Sequence, residues 1–309
     1  MYNPALNNCI TTALARFDDD LPQTTPFLTN QIETWMSALS RTHQPADYFK
    51  HPLAFPSLLL PWWVEETLQQ TPDEAFQTDL VYSTINGYYY IRLLDNVMDD
   101  DADTERTLLP ASNVFHTQFQ AIYHQYFSAD HPFWAHFKTI WFQSAEATMR
   151  DASITTLDEQ AFREIAAQKV CAAKIPITAV CYHYQQLDTI EPWAQLVDTL
   201  GCWHQMINDL FDWHKDLQHQ NQTYFLSEAQ RQTNETDPKI ITQWILDEGF
   251  TWGTTLIETW LNTLKQQAEL LRSESLQNYL HERETLLLEQ KEGVEKGLKS
   301  LAKLVAATA

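Results

Sequence analysis

Leu200-Gly-Cys-Trp-His-Gln-Met-Ile-Asn-Asp-Leu-Phe-Asp-Trp-His-Lys-Asp216 decides how the chain is read. Its apolar residues recur at three- and four-residue spacings, the pattern of a helix rather than the strict alternation of a strand. Asn208, Asp212 and Asp216 recur every four residues. Such a step drifts by roughly 40° around a helix, so three oxygen-bearing side chains keep to one side over two turns. Gln205, three residues before Asn208, falls on the same side. Leu210, Phe211 and Trp213 are apolar, so the segment is not a uniformly solvated face.

The helical pattern extends outward over almost the whole sequence. Prolines punctuate it, and none follows Pro238, which predicts long helices in the last third. Helices are expected over about 28–42, 56–70, 73–100, 110–126, 131–151, 158–184, 191–218, 238–271 and 274–306. Thr71-Pro-Asp-Glu74 reads as a Thr N-cap with Pro in the first turn, and Thr156-Leu-Asp-Glu159 as a capping box. Pro176 falls inside a helical pattern and should kink or break it. No linker, repeat or low-complexity tract divides the chain, so one all-α domain over residues 1–309 is expected.

A second acidic stretch lies upstream: Tyr88-Tyr-Tyr-Ile-Arg-Leu-Leu-Asp-Asn-Val-Met-Asp-Asp-Asp-Ala-Asp103. Asp95 and Asp99 are one helical turn apart and repel each other. Asp99 and Asp100 also crowd a helix C-terminus, where the macrodipole disfavours negative charge. Alone, this is either a solvated acidic helix end or a site for a hard divalent cation, which takes oxygen ligands. The stripe at Asn208, Asp212 and Asp216 favours the cation. Two helices that each carry such a stripe suit several Mg²⁺ ions, and Mg²⁺ is usually held by few carboxylates together with substrate phosphates. A diphosphate or polyphosphate substrate follows.

Composition narrows the alternatives. The chain has 309 residues, 44% of them hydrophobic, enough for a substantial core without disulfide or metal staples. Six glycines leave no Gly-rich phosphate loop and no dinucleotide fingerprint. Twenty basic against 41 acidic side chains give a formal net charge of −21, which argues against nucleic acid or anionic lipid as partner. The four cysteines form no CxxC pair, and no secretory signal or membrane-length apolar run is visible. A cytoplasmic protein with no integral membrane segment is the expectation.

Arg92-Leu-Leu-Asp-Asn-Val-Met-Asp-Asp100 resembles the first aspartate motif of squalene and phytoene synthases. Leu200-Gly-x3-Gln205-x2-Asn208-x3-Asp212-x3-Asp216 resembles their second, and Asn221-Gln-Thr-Tyr-Phe-Leu-Ser-Glu228, with Tyr224, resembles the tail that follows it. The second motif is also similar to the metal triad of terpene cyclases. The resemblance covers roughly residues 50–230. It implies the class I terpenoid synthase fold, a helical bundle around a deep central apolar cavity with the metal motifs facing each other across its mouth. It implies catalysis through metal bound by Asp95, Asp99, Asp100, Asn208, Asp212 and Asp216, with three Mg²⁺ ions held together with diphosphate. Arg92, Arg163, Lys169, Gln205, Lys215 and Tyr224 are the candidates for binding the diphosphate. His204 and His214 are read as structural.

The sequence departs from that family where a second prenyl chain is handled. Phe162–Lys174 lacks the Tyr-Cys and Val-Ala-Gly features of the head-to-head enzymes, and no nicotinamide fingerprint appears. The expected activity is a Mg²⁺-dependent terpene synthase that ionises one prenyl diphosphate and releases a cyclic or linear terpene. The alternatives are a head-to-head squalene/phytoene-type prenyltransferase and a non-catalytic prenyl-lipid binder. Exposed helical faces leave room for a homodimer.

Overall fold

The computed structural model describes residues 2–24, 26–40, 45–52, 54–69, 71–98, 106–151 and 156–308. Every regular element among them is helical. The α-helices are α1 Pro4–Thr24, α2 Thr29–Ser40, α3 Pro45–Lys50, α4 Leu59–Leu68, α5 Glu74–Met98, α6 Ala111–Tyr123, α7 Phe133–Asp151, α8 Glu159–Lys169, α9 Lys174–His183, α10 Ile190–Phe211, α11 Trp213–His219, α12 Tyr224–Thr233, α13 Pro238–Trp244, α14 Phe250–Leu270 and α15 Glu274–Thr308. A π-helical turn, Ile245–Gly249, joins α13 to α14. Among the described residues no helix is long and apolar enough to cross a membrane.

Several local expectations change. α1, α3 and α12 lie outside every predicted range. The 158–184 helix is two helices separated by a 3₁₀ turn, Cys171–Ala173. The break precedes Pro176, which sits in the first turn of α9, where its missing N–H removes no helical hydrogen bond. The N-cap of α5 is Asp73 rather than Thr71: its Oδ1 accepts from the Ala75 and Phe76 N–H groups at 2.9 and 3.2 Å. At α8 the cap is Asp158 rather than Thr156, with the Ala161 N–H donating to Oδ1 at 2.8 Å. In both cases a carboxylate nearer the first helical turn reaches the unpaired N–H groups. Glycine-poor helix ends are closed by other residues in the left-handed region. Gln185, Gln220, Asn234 and Arg272 all have φ of 54–59°.

The chain forms two compact units, Tyr2–Ala152 with Gln168–Val197, and Ser153–Ala167 with Asp198–Ala309. In the first unit α5 is the spine, flanked by α1 and α6. Small residues one turn apart on α5 admit α6. The Ser83 hydroxyl donates to the Phe119 carbonyl at 2.8 Å, and a Cβ on Gly87 would stand 2.9 Å from the Phe119 ring. Phe119 is itself wedged against Tyr123, Phe137 and Trp141, with ring centroids 5.8, 5.4 and 4.7 Å away. Elsewhere in this unit the fully buried Glu65 accepts from the Asp73 N–H at 2.7 Å, from the Gln77 amide and from the Tyr184 hydroxyl, tying α4, α5 and α9 together. Three donors make a buried carboxylate tolerable.

In the second unit α14 lies close to α10, because Gly253 leaves space for Leu210, whose Cδ1 would be 2.7 Å from an added Cβ. The chain from α13 into α14 carries Trp244 folded over Gly249. Trp244, Trp252 and Phe225 cluster there with centroids 6.2–6.4 Å apart. Leu264, Ala268, Leu276 and Leu280 are buried where α14 turns into α15.

Gly87→Val should destabilise the protein by about 1–3 kcal/mol, the usual cost of overpacking a filled site. Denaturant titration checks this, and an unchanged midpoint would mean that Phe119 is free to give way.

Candidate functional site

Thr84, Tyr88, Ile91 and Asp95 follow one another at i, i+4, i+7 and i+11 on α5 and so share a face. The first three line an apolar cavity of about 170 Å³ in the first unit, closed by Phe119, Trp141, Ser57, Lys169 and Pro176 among others. Tyr88 and Tyr48 are joined through their hydroxyls. Burial, then the Tyr48 phenol, pushes the Tyr88 hydroxyl well above its ordinary pKa, so it stays neutral. Lys169 is the charged residue in this lining. Of the neighbouring tyrosines, Tyr89 is buried against Phe17, Trp35 and Phe115, and Tyr90 packs on His116 and Trp141.

Arg92, next after Ile91, and Asp95, one turn on, form an ion pair at 3.2 Å, with 39% and 29% of their side chains exposed. The Arg92 Nε is buried and has no hydrogen-bond partner among the described residues. Its guanidinium therefore keeps a donor in reserve after pairing with Asp95. Asp99 and Asp100 lie outside the described residues.

The second stripe straddles a bend. Asp212 separates α10 from α11 with φ −100° and ψ 5°. Helical bonding nevertheless crosses it, from the Asp212 N–H to the Asn208 carbonyl at 2.9 Å and from the Asp216 N–H to the Asp212 carbonyl at 3.1 Å. The four-residue rhythm survives. Asn208 and Asp212 are exposed and Asp216 is half-buried. Neither Asn208 nor Asp212 makes a side-chain hydrogen bond among the described residues. Asp216 is held by Asn221, which donates its amide to Oδ1 at 3.2 Å and its backbone N–H to the Asp216 carbonyl at 2.9 Å. Gln220, at φ 59°, makes that return possible. Burial raises the Asp216 carboxyl above the usual range. The Asn221 hydrogen bond opposes this, and the Asp212 charge adds to it.

The other candidates divide between the two units. In the second, Arg163 pairs with Glu159 through two hydrogen bonds of 2.7 and 2.9 Å, and its guanidinium lies 4.9 Å over the Trp260 ring. Tyr224 is buried and stacked on Phe162 at 4.8 Å, and Phe162 is stacked in turn on Trp260 at 5.7 Å. Burial first, then the Glu159 and Glu228 carboxylates, push the Tyr224 hydroxyl up to about 12. Arg163 and Tyr224 thus belong to one aromatic tier. Gln205 donates to Asp209 at 2.8 Å. Asp209, only 3% exposed, was not singled out from the sequence. Its one signal was an acid set between apolar residues just off the stripe. Lys215 is exposed.

Among the described residues no group of three or more His, Cys, Asp and Glu side chains is gathered so as to hold a metal ion. The second stripe contains only two such residues, its third donor being the Asn208 amide. The chain matches no protein-family model and no curated protein.

His116, between Tyr90 and Trp141 at 5.3 and 5.6 Å, has its pKa lowered by burial. The unfolded chain therefore takes up this proton first as pH falls through about 6.5. Wild type should lose more stability than His116→Phe between that pH and the lowered value. Parallel denaturation curves for the two proteins across this window would contradict the assignment.

Proposed function

We propose that the protein is a Mg²⁺-dependent class I terpene synthase that ionises one allylic prenyl diphosphate and releases a cyclic or linear terpene. The observation that carries this reading is the stripe on α10 and α11. Asn208 and Asp212 stand exposed without side-chain hydrogen bonds, in line with a half-buried Asp216 whose carboxyl is raised by burial. Oxygen donors left unsatisfied by the protein suit a hard cation.

In this reading Asn208, Asp212 and Asp216 hold Mg²⁺, as do Asp95 and, by resemblance, Asp99 and Asp100. The bound ions would neutralise the diphosphate and make it a leaving group. Arg92, with its buried idle Nε, would donate to a diphosphate oxygen. Arg163, Lys169, Lys215, Gln205 and Tyr224 are the further candidates for that contact, and Arg163 would have to leave Glu159 to make it. The cavity beside the Asp95 face would take the hydrocarbon chain, exclude water and offer aromatic faces to positive charge.

Asp212→Ala and Asn208→Ala should each reduce turnover at least about a hundredfold, since metal-assisted charge stabilisation contributes several kcal/mol. Neither should lower stability, because both side chains are exposed. Assays with ten-, fifteen- and twenty-carbon diphosphates, read by mass spectrometry, should give products with the carbon count of the substrate and no need for NADPH. Near-normal turnover of either variant would remove the stripe from catalysis, and a thirty- or forty-carbon product would favour coupling.

A further inference from the structure

A second cavity, in the second unit, lies behind α10. Of the α10 residues that line it, Leu210 sits about 160° around the helix from Asn208 and Phe211 about 60°. Its volume is about 320 Å³, inside the range of roughly 300–1,000 Å³ usual for small-molecule sites and too small for a docked helix. Leu210, Phe211, Ile257, Leu261 and Leu287 supply an apolar lining.

Two ion pairs join α14 to α15, and three of their four members, Glu258, Glu284 and Lys291, line the cavity. Lys265 Nζ meets Glu284 Oε1 at 2.7 Å, and Lys291 Nζ meets Glu258 Oε1 at 2.8 Å. Glu258 and Lys265 are seven residues apart, as are Glu284 and Lys291. The helices run in opposite directions, so the pairs form two rungs about 10.5 Å apart. The rim is balanced, two carboxylates against two ammonium groups, with the His281 imidazole 3.6 Å from Glu284 Oε2. Each charge already has a partner, so an ionic head group would have to displace one. Asn262, exposed at the mouth of the cavity, falls between the rungs on α14 and makes no side-chain hydrogen bond among the described residues.

We propose that this slot binds a neutral, medium-chain aliphatic alcohol, with the chain beneath the two ion-pair rungs and the hydroxyl hydrogen-bonded to Asn262. Its occupancy requires no Mg²⁺.

Isothermal titration with decan-1-ol and with decanoate, without Mg²⁺, tests this. Wild type should bind one equivalent of decan-1-ol and bind decanoate at least roughly tenfold more weakly, because the carboxylate finds no free cation. Leu287→Trp, at a half-buried position, should fill the slot and weaken the alcohol at least roughly tenfold. Glu258→Lys places two ammonium groups at one rung and should strengthen decanoate at least roughly tenfold. That gain does not depend on Leu287→Trp folding. Ile91→Trp, which fills the cavity of the first unit, should leave alcohol binding unchanged. The proposal is overturned if wild type binds no decan-1-ol, if it binds decanoate equally well, if a folded Leu287→Trp binds as wild type, if Glu258→Lys gains nothing, or if Ile91→Trp abolishes binding.

Discussion

The close approach of Phe119 to Gly87 sets the geometry of the first unit. Phe119 occupies space that a side chain at residue 87 would need, and its carbonyl is fixed by Ser83 one turn earlier. The α5–α6 contact is therefore shape-determined rather than a general apolar collapse. The same Phe119 ring, with Trp141 behind it, closes the cavity along the α5 face that ends at Asp95. One packing decision thus fixes a helix pair, a cavity wall and the direction in which an acidic side chain is carried.

The second unit obeys a different constraint. A row of oxygen-bearing side chains at four-residue spacing brings like charges together, and nothing within the row relieves this. The bend at Asp212 keeps the helical bonds while turning α11, and Asn221 returns to hold Asp216 from both its carbonyl and its carboxylate. Arg163 shows the contrasting solution, a cation satisfied by Glu159 and by the face of Trp260. Asn208 and Asp212, exposed and without side-chain hydrogen bonds among the described residues, give the cation reading its weight.

Much of the fold was legible because it rests on period and punctuation. α5, α6, α7 and α15 fall close to their predicted spans, since long apolar repeats between prolines leave little else to form, and the expected 238–271 helix is divided into α13, the π-helical turn and α14. α1 was equally periodic, with Leu6, Ile10, Ala13, Phe17 and Leu21 all buried, but its Asn- and Asp-rich solvent face masks the repeat. The caps were misplaced by two residues because Thr and Asp compete at both sites, and only geometry shows which oxygen reaches the free N–H groups. Of the candidate site, the spacing of Asn208, Asp212 and Asp216 could be read directly. The cavity could not. It joins Ser57, Tyr88, Trp141 and Lys169, which are far apart in sequence and carry no common pattern. Asp209, Arg92 Nε and the Arg163–Trp260 contact are likewise products of packing.

The central claim is that these oxygen donors hold Mg²⁺ only together with a diphosphate. Thermal unfolding measured with Mg²⁺ alone, with inorganic pyrophosphate alone and with both tests it most directly, because a ligand that binds only the folded protein raises its stability by mass action. The account predicts a small rise in Tm with either alone and, with both, a rise well beyond their sum. An equal rise with pyrophosphate whether or not Mg²⁺ is present would contradict it.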